Sequence, residues 1–259
     1  ISTSTNSQSA VKARDLRSND KAVLAMKKAY EQFYPDGYFV TKRGEKVDSV
    51  KYNTAHVVNL TDLGKQLIAW HSQRPNLSYG ETKIFDKYFD QLFRREYAPE
   101  NIQALNVLFS TLYAKWDKDN PMGLNETLLA MKSYAPYHQL YAISVIFCEI
   151  NKMNDSVPSP AVVLKKLNAG GLLDTVVETA GSCLNMALET ASSEATDSGK
   201  MFVPQNWIKS KTSLKDLRTA IKQYLASLKM MPGGKQVLSQ LNAKLEMNKE
   251  DFDSRWTAD

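Results

Sequence analysis

The sequence predicts a mainly α-helical protein, in which a small N-terminal section with a helix and a β-hairpin packs on a multihelical body. Apolar residues recur at a period near 3.6 through most of the chain after Asn59. The clearest pattern runs from Leu172 to Leu188 with i, i+3, i+4, i+7 spacing. Only residues 38–47 show the signal of two strands around a tight turn.

The first predicted helix follows a polar segment and continues to Phe33. Ser18 and Asp20 are residue types that cap helix N-termini, because their side-chain oxygens accept free backbone N–H groups. Apolar residues then recur at helical spacing, and the turn residues 35–37 end the pattern.

The predicted hairpin follows directly. Residues 38–42 and 45–47 flank Arg43-Gly44, where glycine supplies the positive φ that a two-residue turn requires. If the hairpin runs back along the first helix, Arg43 comes close to Arg14 at the start of that helix.

The body is predicted as a series of helices separated by proline, glycine and small polar residues. The predicted helices cover 61–73, 78–93, 99–116, 125–133, a long one through 141–150, 161–168, 172–188, one beginning at Ser213 and a last one ending near Met247. The aromatic stripe of 78–93 is interpreted as core, with a base-stacking platform as the alternative. Ser192–Lys200 is predicted to be a flexible loop, and Asn248–Asp259 a frayed acidic tail.

These elements suggest three sections. Residues 1–58 hold the polar and basic motif, helix and hairpin; residues 59–191 form the multihelical core; residues 192–259 form a C-terminal helical section packed on that core.

Composition excludes several classes of protein. The chain has 259 residues, of which 43% are hydrophobic, so it can bury a substantial core. No apolar run approaches the roughly 20 residues that cross a bilayer, and the start of the chain is too polar for a signal peptide. Cys148 and Cys183 stand alone in apolar patterns, which is typical of buried thiols. We therefore expect a cytoplasmic protein without membrane contact.

The charge is unevenly distributed. The formal net charge is +5, and residues 1–51 contain ten Lys or Arg against six Asp or Glu. A basic segment beside polar recognition residues favours a polyanionic partner, with nucleic acid or a nucleotide the leading candidate.

The polar stretch from Thr5 to Asp20 is dense in amide, guanidinium and ammonium groups. Amides can bind a base edge, and arginine can bind phosphate through two donors. The candidate binding residues are Asn6, Gln8, Lys12, Arg14, Arg17, Asn19, Arg43 and Lys46. The alternative is a loop in which Arg14 pairs with Asp15 or Asp20.

The run TNSQSAVKARDLRSND, followed by GYFVTKRGE and a looser NWIKSK segment, resembles the AIPR family, named for abortive infection and phage resistance in bacteria. The resemblance implies a role in phage defence. Family members usually carry a further N-terminal region with a Gly-Gly-Gln type motif, which is not present in this sequence. The chain begins at Ile1, so we interpret it as a C-terminal portion, with the upstream region of the same protein as a partner.

Catalytic motifs are not found. The three histidines fall on different predicted elements, and there is no Walker, dinucleotide-binding or serine hydrolase motif, so no metal site or cofactor is predicted. A metal-dependent nuclease would have to use Asp15, Asp20, Asp36 and Glu45 with Lys42 or Lys46, and adjacent Glu45 and Lys46 would point to opposite faces of a strand. The leading hypothesis is a non-catalytic binding and sensing module. The alternatives are a structural or homo-oligomerising domain that positions an upstream effector, and the nuclease.

Overall fold

A computed structural model describes residues 13–116 and 124–255 and confirms a mainly α-helical fold. Its helices are α1 (Ala13–Arg17), α2 (Lys21–Phe33), α3 (Leu60–Trp70), α4 (Glu81–Phe85), α5 (Phe89–Phe93), α6 (Pro99–Trp116), α7 (Glu126–Leu129), α8 (Ala135–Asn151), α9 (Pro160–Gly170), α10 (Leu173–Asp197), α11 (Pro204–Ile208), α12 (Thr212–Ser227) and α13 (Gly234–Leu245). Short 3₁₀ turns lie at Thr54–His56, Pro75–Leu77 and Lys249–Asp251. Four three-residue strands, β1 (Tyr38–Val40), β2 (Val57–Asn59), β3 (Ser156–Pro158) and β4 (Phe252–Ser254), form two separate pairs.

Helix α8 lies at the centre of the molecule. Every residue from Ala135 to Cys148 is buried, and α3, α6, α10 and α12 pack around it. This confirms the prediction that the helix apolar on nearly all sides is central, because only a fully surrounded helix can bury such a surface. One contiguous core includes residues from all three predicted sections, and the division into sections stays a prediction.

The start of the body follows the sequence closely. Asp20 caps α2 by accepting the Ala22 N–H at 2.9 Å, and α2 ends at Phe33 as predicted. Helix α3 is capped by Asn59 and begins at Leu60, slightly earlier than the predicted start at Thr61. The long α6 begins at Pro99, where a proline costs no hydrogen bond.

The predicted β-hairpin is wrong. Residues 45–47 form no strand, and β1 instead pairs in parallel with β2, with Tyr38 opposite Val57. Arg43-Gly44 is a turn with Gly44 at φ 68°. The carboxylate of Glu45 accepts the Tyr38 hydroxyl at 2.5 Å and the Lys42 N–H at 3.2 Å. Residues 45–47 are therefore joined to residues 38–42 through the Glu45 side chain and not through strand pairing.

Three further predictions are corrected. The helix predicted over 78–93 is two short helices, α4 and α5, although its aromatic side chains are buried as predicted. Most of Ser192–Lys200 is helical and not a loop, because α10 continues to Asp197. The C-terminal segment is ordered through β4, which pairs antiparallel with β3.

The two cysteines are free and buried, as predicted. Burial raises the pKa of each thiol to about 12, so both remain protonated at neutral pH. Within the residues described, none of the helices is both long and apolar enough to cross a membrane.

Candidate functional site: an arginine cluster at helix α1

The candidate site is built around Arg14 on α1. This short helix packs against α4, and Arg17 fixes the contact by donating from Nε to the Phe85 carbonyl oxygen at 3.2 Å. Arg14 faces inward and is only 2% exposed. An arginine buried to this degree is uncommon and is normally paired.

Arg14 is incompletely partnered. Its Nη1 lies 3.9 Å from Asp15 Oδ1, an ion-pair distance that is too long for a hydrogen bond. Within the described part of the chain, Nε and Nη1 are buried without a hydrogen-bond acceptor. Two guanidinium donors are therefore available to an acceptor that reaches them.

Arg43 lies beside Arg14. Its Nε is 3.2 Å from Asp15 Oδ1, and its Nη2 forms an ion pair with Glu81 on α4. The expected proximity of the Arg43-Gly44 turn to the start of the chain is found at Asp15, although the connection is not a hairpin. Arg43 pairs with Asp15 and Glu81.

The two guanidinium groups influence each other. The pKa of Arg14 is lowered, first by burial and then by the positive charge of Arg43, while Asp15, Glu81 and Asp62 act in the opposite direction. Burial likewise raises the pKa of Asp62 on α3. The cluster thus places a buried guanidinium, Arg14, beside a partly exposed one, Arg43, with three carboxylates around them.

The other predicted binding residues lie apart from this pair. The Arg17 guanidinium carbon lies 4.2 Å from the centroid of the Phe89 ring, and its Nη1 lies 3.6 Å from Asp20. Asn19 and Lys46 are exposed. The predictions for Asn6, Gln8 and Lys12 fall outside the described residues.

The carboxylates of the nuclease alternative have separate partners. Asp15 pairs with Arg43, Asp20 caps α2, and Glu45 accepts the Tyr38 hydroxyl. Asp36 Oδ1 lies 2.8 Å from His56 Nδ1, and this ring lowers the pKa of the carboxylate by hydrogen bonding. Across the residues that the structure describes, no three His, Cys, Asp or Glu side chains are placed to hold a metal ion.

Sequence reasoning missed Glu81 and Asp62 as members of the cluster. Both stand in first turns of helices, α4 and α3, where an acidic residue is ordinarily explained by the helix dipole. Their positions near α1 depend on how α1, α3 and α4 pack together. A local sequence pattern does not predict that packing.

The sequence profile of the family described as AIPR protein matches residues 1–228 of this chain. The chain belongs to the AIPR family. The match includes α1, the Arg43-Gly44 turn, α3 and α4, so every described member of the arginine cluster lies within it. No match was found among curated proteins or solved structures.

Membership of the AIPR family implies a role in phage defence by abortive infection. Two of the three sequence segments that resemble the family, those around Arg14 and Arg43, meet in the cluster. The family resemblance and the three-dimensional contact therefore point to the same place.

Proposed function

We propose that this AIPR chain is a non-catalytic binding and sensing module of a phage-defence protein, and that it engages nucleic acid or a nucleotide-like ligand where Arg14 and Arg43 meet. One observation carries the proposal. Arg14 is 2% exposed and keeps two donors without an acceptor, directly beside a second guanidinium.

A phosphate group suits this arrangement. Its oxygens accept several hydrogen bonds and can bridge two guanidinium groups, and charge-assisted bonds of this kind are stronger than neutral ones. A buried donor without an acceptor costs about 1–3 kcal/mol. The unmet donors of Arg14 raise the free energy of the protein without ligand. A bound phosphate removes this cost, and the relief adds to the free energy of binding.

The carboxylates around the cluster do not prevent binding. Asp15, Glu81 and Arg43 are each about one third exposed, and ion pairs with that access to water contribute only about 0–1 kcal/mol. Arg43 can therefore exchange a carboxylate for a phosphate at little cost. Arg14 stays in place because α1 is fixed against α4 through Arg17.

The proposal is tested by fluorescence anisotropy with labelled single-stranded DNA, duplex DNA and RNA over a series of salt concentrations. We expect Arg43→Ala and Arg14→Met each to weaken binding at least about fivefold and to reduce the salt dependence by about one phosphate contact. Exposed Lys222 on α12, paired with Glu149 at 3.5 Å, supplies the control Lys222→Ala, which should have less effect.

Equal losses in all three variants would mean diffuse charge attraction and would overturn the assignment of the site. Absence of binding to every nucleic acid would overturn the binding function and favour the structural or oligomerising domain. Light scattering of the same preparation then measures whether the chain self-associates.

A further inference from the structure

A cavity of about 600 Å³ opens between α3, α6 and the start of α8, on the other side of Asp62 from the arginine cluster. Its volume is within the range of roughly 300–1,000 Å³ that is typical of small-molecule sites. Asp62 faces both regions, since it lines the cavity and also acts on the charge of Arg14. Of the candidate binding residues drawn from the sequence, those that the structure describes do not line it.

A buried amide lines the cavity without a partner for its acceptor. Gln66 on α3 is 1% exposed, and its Oε1 has no hydrogen-bond donor among the residues that the structure describes. Asn106 on α6 donates from Nδ2 to the Val57 carbonyl oxygen at 3.1 Å, which leaves its Oδ1 as a second acceptor. With the carboxylate of Asp62, the cavity offers acceptors for a ligand edge that carries N–H donors.

Aromatic rings form another part of the lining. Phe109 and Tyr137 are stacked, with ring centroids 4.6 Å apart and an angle of 25° between the planes. Tyr113, whose ring is 5.9 Å from Phe109, is partly exposed. Tyr137 is buried, whereas the rings of Phe109 and Tyr113 are partly exposed. Partly exposed rings can stack against a planar ligand, and base–aromatic stacking is a common source of affinity for nucleobases.

Positive charge completes the lining. Lys65 on α3 and Lys132 both line the cavity, and the Lys65 Nζ lies 5.9 Å from the Tyr137 ring centroid. The Lys65 ammonium group can attract an anionic group of a ligand that also carries a planar ring.

We propose that this cavity binds a nucleoside phosphate whose base has an exocyclic amino group, with the amino group at Gln66 and Asn106, the base against the aromatic rings, and the phosphate near Lys65. The proposal is independent of nucleic-acid binding at the arginine cluster. Burial raises the pKa of Tyr137, so its hydroxyl remains a neutral donor at physiological pH.

Isothermal titration calorimetry with AMP, CMP and GMP tests the proposal, and UMP, which lacks the amino group, serves as the comparison ligand. We expect at least one of the three to bind more tightly than UMP. Gln66→Leu should weaken AMP binding about tenfold, because a hydrogen bond to a buried acceptor is lost. The same variant should leave purine riboside 5′-monophosphate unchanged, since that ligand has no amino group to lose.

Two further variants allow the proposal to be tested even if the Gln66→Leu protein does not fold. Phe109→Leu should weaken AMP and purine riboside 5′-monophosphate equally, because both stack. Lys65→Met should weaken AMP and leave adenosine unchanged, because adenosine has no phosphate. Thermal denaturation of each variant verifies that it is folded.

A single-stranded oligoadenylate distinguishes the two sources of such a ligand. AMP binding that depends on Gln66 indicates a free nucleotide, whereas Gln66-dependent binding of the oligonucleotide alone indicates a base of a strand. Arg43→Ala should leave AMP binding intact, which separates this site from the arginine cluster. Failure of AMP, CMP, GMP and oligoadenylate to bind, or wild-type affinity in the Gln66→Leu protein, would overturn the proposal.

Discussion

Two arginines of this chain are held in opposite ways. Arg218 on α12 donates from Nε to the Tyr141 hydroxyl at 2.7 Å and from Nη2 to Gln73 Oε1, so it joins α12 to α8 and to the end of α3. Arg14 on α1 is buried more deeply, yet two of its nitrogens have no acceptor among the residues described. The difference separates a guanidinium whose donors are used within the fold from one that we propose as a ligand-binding group.

The same contrast applies to neutral groups. In the body, His138 Nδ1 lies 3.1 Å from the Tyr134 carbonyl oxygen and its Nε2 3.4 Å from the Ser213 hydroxyl. Beside the cavity, Gln66 Oε1 has no such partner. Buried polar atoms without a hydrogen-bond partner also occur elsewhere among the described residues, for example Asn76 Oδ1 and Gln91 Oε1. Whether Arg14 and Gln66 stabilise the fold therefore has to be measured.

The largest expected effect is acid destabilisation of the body. Burial lowers the pKa of His71 to about 3 and that of His138 to about 4, from an ordinary value of 6.5. The unfolded chain therefore takes up these protons first, and stability present above pH 6.5 is lost as the pH falls. Each histidine should account for roughly 3 kcal/mol by pH 4. Urea denaturation at several pH values measures this, and His138→Gln should reduce the slope; a flat profile would contradict the prediction.

Next in size is the loss of Arg218. Arg218→Met leaves Gln73 Oε1 and the Tyr141 hydroxyl without their donor, so we expect the free energy of unfolding to fall by about 2–3 kcal/mol. The control is Arg94→Met, because the Arg94 side chain is 58% exposed in an i, i+4 pair with Asp90. Its effect should be much smaller, since water screens an exposed ion pair. Equal urea midpoints for the two variants would contradict the prediction that Arg218 stabilises the fold.

A smaller effect is expected at Arg14. Arg14→Met removes a buried charge whose donors are unmet, so the free energy of unfolding should stay within about 1 kcal/mol of wild type. Chemical denaturation without ligand measures it. A loss above about 2 kcal/mol would make Arg14 a structural residue like Arg218 and would end the distinction between them.

The smallest effect, and the one of opposite sign, is expected at Gln66. Gln66→Leu removes a buried acceptor that has no partner, so the protein without ligand should gain about 0.5–1 kcal/mol. The matched control is Gln103→Leu, since Gln103 accepts the Tyr30 hydroxyl and donates to the Ala55 carbonyl oxygen at 2.8 Å. That variant should lose stability in the same thermal denaturation experiment.

The sequence predicts the helices well and their partners poorly. The apolar period predicts the long α8 and the cap of α2, because both depend on neighbouring residues alone. The partner of β1 is not predictable in this way: Val57 and Val58 stand just before the Asn59 cap and carry no strand pattern of their own. Helix α10 runs on past Ser192 because alanine and glutamate there are good helix formers despite the small polar residues.

The candidate sites show the same limit. The adjacency of Arg14 and Arg43 was expected from a hairpin that does not form, and the turn after α2 alone returns Arg43 toward α1. Glu81 belongs to a separate helix and was not expected there. A signal for Gln66 was present, because it stands at the i+3 position of the stripe formed by Leu63, Leu67 and Trp70. An amide on an apolar stripe is a feature that requires an explanation.

The pairing of β3 with β4 has a consequence for the order in which the chain folds. Pro158 pairs with Phe252, roughly ninety residues later, and Ser159 donates its N–H to the Asp251 carbonyl oxygen at 2.8 Å. A ribosome therefore releases the middle of the protein long before its final strand exists. During that interval Ser156–Pro158 lacks its partner strand. In the folded protein the Pro158 carbonyl oxygen also accepts the Trp70 indole N–H at 2.8 Å, a contact that does not require the final strand. Synthesis must reach residue 254 before this edge is closed.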